Sequence, residues 1–69
     1  MATVKINKVK AFREALGIPQ HEMSRMLSIS QPSYNRKEKK RKFSDEEKII
    51  LTDYFKKYFP NETLESIFF

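Results

Sequence analysis

The chain is expected to fold as an all-α domain of five helices, and three observations predict it. One Gly and three Pro in 69 residues leave few backbone breaks, which favours helices with short joints. Apolar residues recur at helical spacing, first at Val9, Phe12, Ala15 and Leu16, later at Ile50, Leu51, Tyr54, Phe55, Tyr58 and Phe59. Residues whose side chains cap helices, Ser30, Ser44 and Thr63, stand just before three of the expected helices.

The first helix is expected from about Asn7 to Leu16, and Gly17 supplies the positive φ that a helix end often requires. Pro19 is tolerated at a helix start, so a second helix follows from Gln20 to Leu27 with Met23, Met26 and Leu27 inward. Ser28-Ile29-Ser30 is a three-residue joint. Ser30 caps a third helix from Gln31 to about Glu38, with Pro32 in its first turn, where a missing N–H does no harm. Lys39 to Phe43 is read as a loop. Ser44-Asp45-Glu46-Glu47 has the form of a capping box, with acids at the positive end of a fourth helix that runs to Pro60-Asn61. Thr63 caps a short fifth helix, Leu64 to Phe68. Residues 1–69 thus read as one domain, without repeats or a linker.

Composition excludes several classes. Apolar content of 39%, with six Phe and three Tyr, is too high for a disordered chain. With no Cys, neither disulfides nor a thiolate metal site can hold the fold, so packing must do so. No run approaches the ~20 apolar residues of a membrane span and no secretory signal is visible. The expectation is a cytoplasmic protein with no membrane partner. His21 has no second His, Cys or carboxylate at ligand spacing, and Glu46 and Glu47 read as helix capping, so no metal, cofactor or catalytic group is expected.

The charge is local. Segment 36–42 carries six basic residues and one acid, which equals the formal net charge of +5 for the whole chain. A concentrated positive patch suits a polyanion. It also follows a pattern: helix, three-residue turn, helix, over about residues 20–38, is the helix-turn-helix arrangement. The third helix is two-faced. Tyr34 turns inward beside Ile29, while Gln31, Pro32, Asn35 and Arg36 share a face with no reason to be buried. Gln and Asn can hold adenine through two bonds, Arg can hold guanine, and Pro can touch a thymine methyl. The basic segment behind them would lie on the sugar-phosphate backbone of double-stranded DNA.

The stretch "FREALGIPQHEMSRMLSISQPSYNRKEKKRKFS" resembles the xenobiotic-response-element family of helix-turn-helix regulators, the phage Cro and CI repressor type. The likeness rests on Arg13, Gly17-Ile18, Gln20, Glu22-Met23, Leu27, Ile29-Ser30, Tyr34 and Glu38. The closing "LESIFF" is similar to the end of short forms from phages of Gram-positive bacteria. The resemblance implies a five-helix Cro/CI repressor-like domain. It implies that Gln31, Pro32, Asn35 and Arg36 face bases, that Gln20, Ser33, Lys39, Lys40 and Lys42 face phosphates, and that Arg13 and Glu38 form an internal salt bridge. The chain departs from the family at Ser28, where Gly is usual, at Pro19, where a Ser or Thr cap is usual, and at Lys37, where an apolar residue is common. Lys39-Lys40 replaces a frequent Asn-Gly.

Two functions follow. The first is a small phage or prophage transcriptional regulator, a Cro-like repressor that occludes a promoter, with a homodimer reading two half-sites about one helical turn apart. The second is a modulator of a lysogeny switch that binds a CI-type repressor protein, a reading the departures and the aromatic terminus fit. Tyr58, Ile67, Phe68 and Phe69 are the candidate dimer or partner surface.

Overall fold

The computed structural model of the protein describes residues 7–68. All regular structure among them is helical: α1 (Lys8–Ala15), α2 (Gln20–Met26), α3 (Gln31–Lys40), α4 (Asp45–Lys56) and α5 (Leu64–Phe68). Helix α2 packs on α3, and α5 packs against α4 and α1. None of these helices is long and apolar enough to cross a membrane.

The helix starts follow side-chain chemistry. Asn7 Oδ1 accepts from the Lys10 amide, and Ser30 Oγ accepts from the Ser33 amide. At α4 the capping box is complete. Glu47 N donates to Ser44 Oγ at 3.2 Å, and Ser44 N donates to Glu47 Oε1 at 2.8 Å. Thr63 and Ser66 exchange two backbone-to-hydroxyl bonds at the start of α5. Helix α2 has no side-chain cap, because Pro19 stands at that position.

Three helix ends use one device. Ile18 N donates to Arg13 O, Ile29 N to Ser24 O, and Lys42 N to Lys37 O, each at 3.0 Å. These wide turns require a left-handed residue just before the donor, and the three are Gly17 (φ 67°), Ser28 (φ 58°) and Arg41 (φ 57°). Only the first is glycine. The left-handed region costs an L-residue about 1–2 kcal/mol. Ser28→Gly should therefore raise stability, by about 0.5–1 kcal/mol once the extra freedom of the unfolded chain is subtracted. Urea unfolding checks this, and a lower midpoint would show that the Ser28 side chain contributes more than its backbone strain costs.

The core is formed by Val9, Met23, Leu27, Tyr34, Phe43, Leu51, Phe55 and Ile67, all buried. Phe12 stacks on Phe59 with centroids 4.5 Å apart and meets Phe55 edge-on at 5.4 Å, which joins α1 to α4.

Several expectations need correction. Helix α3 runs to Lys40, two residues past Glu38, so Lys39 and Lys40 are helical rather than in the loop. The left-handed Arg41 ends the helix, and basic side chains suit a helix C-terminus. Phe43, expected in that loop, is a buried anchor between α3 and α4, 6.0 Å from the rings of both Tyr34 and Phe68. Ala15 is exposed, one position off the buried stripe of α1. Helix α4 ends at Lys56, short of the expected Pro60-Asn61; within it Ile50 remains exposed at 39%, because the inward arc is filled by Leu51 and Phe55, and Tyr58, in the turn beyond, is 52% exposed.

Candidate nucleic-acid interface

The site is built on one carboxylate. Glu38 is buried, and its two oxygens collect four donors. Arg13 Nε donates to Oε2 at 2.8 Å and Nη2 to Oε1 at 3.1 Å. The Tyr34 hydroxyl donates to Oε2 at 2.6 Å, and Gln20 Nε2 reaches Oε1 at 3.3 Å. Arg13 also donates through Nη1 to the carbonyl of Ile18, and Asn7 Nδ2 donates to the Glu38 carbonyl. One side chain of α3 is thus tied to α1, to the start of α2 and to its own preceding turn. No buried side-chain polar atom among the described residues lacks a partner.

The electrostatics follow from that geometry. Burial by itself would raise the Glu38 pKa, but the hydrogen bonds from Arg13 and Tyr34 outweigh it and hold the carboxyl below its ordinary value of 4.5. The Arg13 pKa rises, chiefly through its bond to Glu38. Burial pushes the Tyr34 phenol far up, and its bond to the ionised Glu38 adds to this.

A second ion pair fixes the other side of α3. Lys37 Nζ lies 2.8 and 2.7 Å from the two oxygens of Glu47, the same carboxylate that closes the capping box. For Glu47 too, burial acts upward, and the bonds from Lys37 and Ser44 bring the net shift below the ordinary range. Lys37 is therefore a charge paired to α4. The spacing of ten between Lys37 and Glu47 gives no sign of this pairing, since it crosses the α3–α4 turn.

These pairings sort the charges of segment 36–42. Glu38 is buried and bonded to Arg13, and Lys37 is paired with Glu47. Arg36, Lys39, Lys40, Arg41 and Lys42 are exposed and make no ion pair among the described residues. Five uncompensated cations remain at the end of one helix.

The candidate base- and phosphate-facing residues fall into two shallow clefts. Gln20, Gln31, Pro32 and Asn35 line an open depression of about 350 Å³. Within it Gln20 Nε2 donates to Asn35 Oδ1 at 3.1 Å, so the Gln20 amide nitrogen is turned to Asn35 and Glu38 rather than outward. Gln20 thereby positions Asn35, while its own carbonyl and the Asn35 amide nitrogen stay available. Ser33, Arg36, Lys37, Lys40 and Lys42 line the second cleft, of about 160 Å³. Arg36, expected beside Asn35 and Pro32, thus also borders the residues expected on phosphates. Lys39 lies four residues beyond Asn35 and seven beyond Pro32, which sets it on their strip of the helix.

The C-terminal surface is not as expected. Ile67 is buried in the core, because α5 turns it against α4 and α1. Phe68 is half-buried, with its ring 6.0 Å from Phe43. Tyr58 is exposed, and Phe69 lies outside the described residues.

No protein-family model, curated protein or solved structure matches the chain.

Proposed function

We propose that this chain is a small DNA-binding transcriptional regulator, a Cro-like repressor of phage or prophage origin. The observation that carries the reading is the partition of charge along α3. The two carboxylates on and packed against α3, Glu38 and Glu47, are occupied from inside, and five cations beside an exposed polar helix face make no ion pair among the described residues, with the exposed Asp45 and Glu46 included. Such a patch is costly to hold together unless a polyanion meets it.

In this reading α3 enters the major groove. Gln31, Pro32 and Asn35, the last oriented by Gln20, meet base edges at the start of the helix. Lys40 and Lys42 meet the backbone, and Arg36 stands between the two sets. Repression follows from occupancy of a promoter. The alternative, a modulator that binds a CI-type repressor through the Gln31–Lys42 surface or the C-terminal end, loses Ile67 and Phe68 to packing at that end and keeps the α3 surface.

Two substitutions test the division of labour. Arg36→Ala should cost about 1–3 kcal/mol on the preferred sequence and relax one base position. Lys40→Ala should weaken all sequences alike and lower the salt slope by about one. Binding isotherms on a panel of single-base operator variants check both. An equal loss on every sequence for Arg36→Ala assigns Arg36 to the backbone, and a loss for neither variant removes DNA as the ligand of this face.

A further inference from the structure

We propose that Glu47 withholds a sixth cation, Lys37, from the phosphates that meet α3, and so sets how tightly the cleft there holds a nucleic-acid backbone. The inference rests on the DNA reading of that cleft. Lys37 lies four residues past Ser33 and three before Lys40, on one strip of α3 between two side chains expected on phosphates. It lines their cleft together with Arg36 and Lys42. Its side chain is 34% exposed, so water reaches it, yet Glu47 holds the ammonium, with Nζ 2.8 Å from Oε1 and 2.7 Å from Oε2. The other five cations of segment 36–42 make no ion pair among the described residues.

The geometry fixes the carboxylate and leaves the ammonium able to move. Glu47 is buried, and its Oε1 also accepts from Ser44 N at 2.8 Å in the box that starts α4. It cannot follow Lys37 outward without opening that box. Lys37 stands on a flexible aliphatic stem that is partly in water, so it is the partner that can leave. While the pair holds, its two charges cancel, and Lys37 neutralises no phosphate and releases no counterion. With Glu47 uncharged, the same ammonium is free to turn along the Ser33–Lys40 strip toward a backbone. Lys37 thus differs from its neighbours in availability rather than in position. Contacts to the backbone carry no sequence information, so a freed Lys37 should tighten every duplex alike.

Glu47→Gln releases Lys37 without dismantling the helix start, because Gln at that position also completes a capping box. Glu46→Gln is the control. It removes the same charge one residue earlier, from an exposed acid that makes no ion pair among the described residues. Binding isotherms of the full-length variants are measured at neutral pH on the upstream duplex and on a random duplex, across salt. Glu47→Gln should bind both about five- to tenfold more tightly near about 0.1 M salt and steepen the salt slope by about 0.9. Glu46→Gln should gain less than about twofold and leave the slope unchanged. Lys37→Met/Glu47→Gln should return affinity and slope to near those of the parent. Circular dichroism and thermal unfolding of each variant check the fold. Equal gains from Glu47→Gln and Glu46→Gln overturn the proposal, as does a gain that survives Lys37→Met/Glu47→Gln. No gain from Glu47→Gln in a chain whose parent binds duplex overturns it too, and leaves the DNA reading standing. A parent that binds neither duplex overturns the DNA reading instead, and binding to inorganic polyphosphate then decides the role of Glu47. Tighter binding by Glu47→Gln than by Glu46→Gln upholds the withholding of Lys37, and equal binding overturns it.

Discussion

Glu38→Ala is expected to unfold this domain at room temperature or bring it close to doing so. The substitution leaves the Arg13 guanidinium, half-buried and aimed at an empty site, without its counter-charge, strips the Tyr34 hydroxyl of its acceptor and leaves the Gln20 amide only Asn35. Removing one side of a buried pair costs about 3–5 kcal/mol. Small domains sit near the bottom of the range of roughly 5–15 kcal/mol, so this loss is most of what holds the fold. Urea unfolding should show a midpoint shifted to very low denaturant or no folded baseline. Arg13→Met/Glu38→Leu, which removes both charges, should be more stable than Glu38→Ala alone, because the cost lies mainly in the unpaired charge. A Glu38→Ala protein with an unchanged midpoint would mean that the network is peripheral.

The same carboxylate sets the acid limit. Its folded pKa lies below its ordinary value of 4.5, as does that of Glu47. The sign is the acidic one: the contribution is fully present above about pH 4.5 and is lost as pH falls through the depressed folded values. Stability should be flat from neutrality to about pH 5 and then drop, and the drop should be shallower in the Arg13→Met/Glu38→Leu protein.

The largest effect on binding is expected from Arg36→Ala/Lys40→Ala/Lys42→Ala. These three cations line one cleft, are exposed and have no acidic partner there, so their removal should not disturb the fold. Affinity for duplex DNA should fall about a hundredfold or more at moderate salt, and the slope of log K against log salt should shrink by roughly 1.8, about 0.9 for each phosphate that Lys40 and Lys42 leave unneutralised. Thermal unfolding should stay within roughly a degree or two of the parent, or rise as repulsion within the cluster is relieved. Unchanged affinity would mean that the positive cluster is only a solvated helix end.

Much of the fold is legible in the sequence because it depends on local chemistry. The Ser30, Ser44 and Thr63 caps and the Ser44–Glu47 box act over short spans of chain, and all sit where their spacing indicates. The end of α3 is not legible. A run of Lys and Arg is a good helix former, and nothing in it marks a stop, so the end is set by Arg41 taking the left-handed conformation that lets Lys42 close on Lys37. Phe43 reads as one apolar residue among charges, and only the path of the chain after Arg41 turns it into the core. The site divides in the same way. The exposed strip of α3 follows from helical periodicity, whereas the Lys37–Glu47 and Gln20–Asn35 pairings depend on how α4 and α2 approach α3, which is set by the whole core. The C-terminal surface escapes a reading of the sequence for a related reason: aromatic content measures apolar area but not which side of so short a helix as α5 meets the core.

The most direct test is the binding of the purified chain to the DNA upstream of its own coding sequence and to a random duplex of equal length, across a range of salt. A regulator that reads bases through α3 should prefer the upstream DNA by about a thousandfold or more, with a steep salt slope on both duplexes. Equal and weak binding to the two would contradict that role, and the α3 face would then belong to another kind of partner.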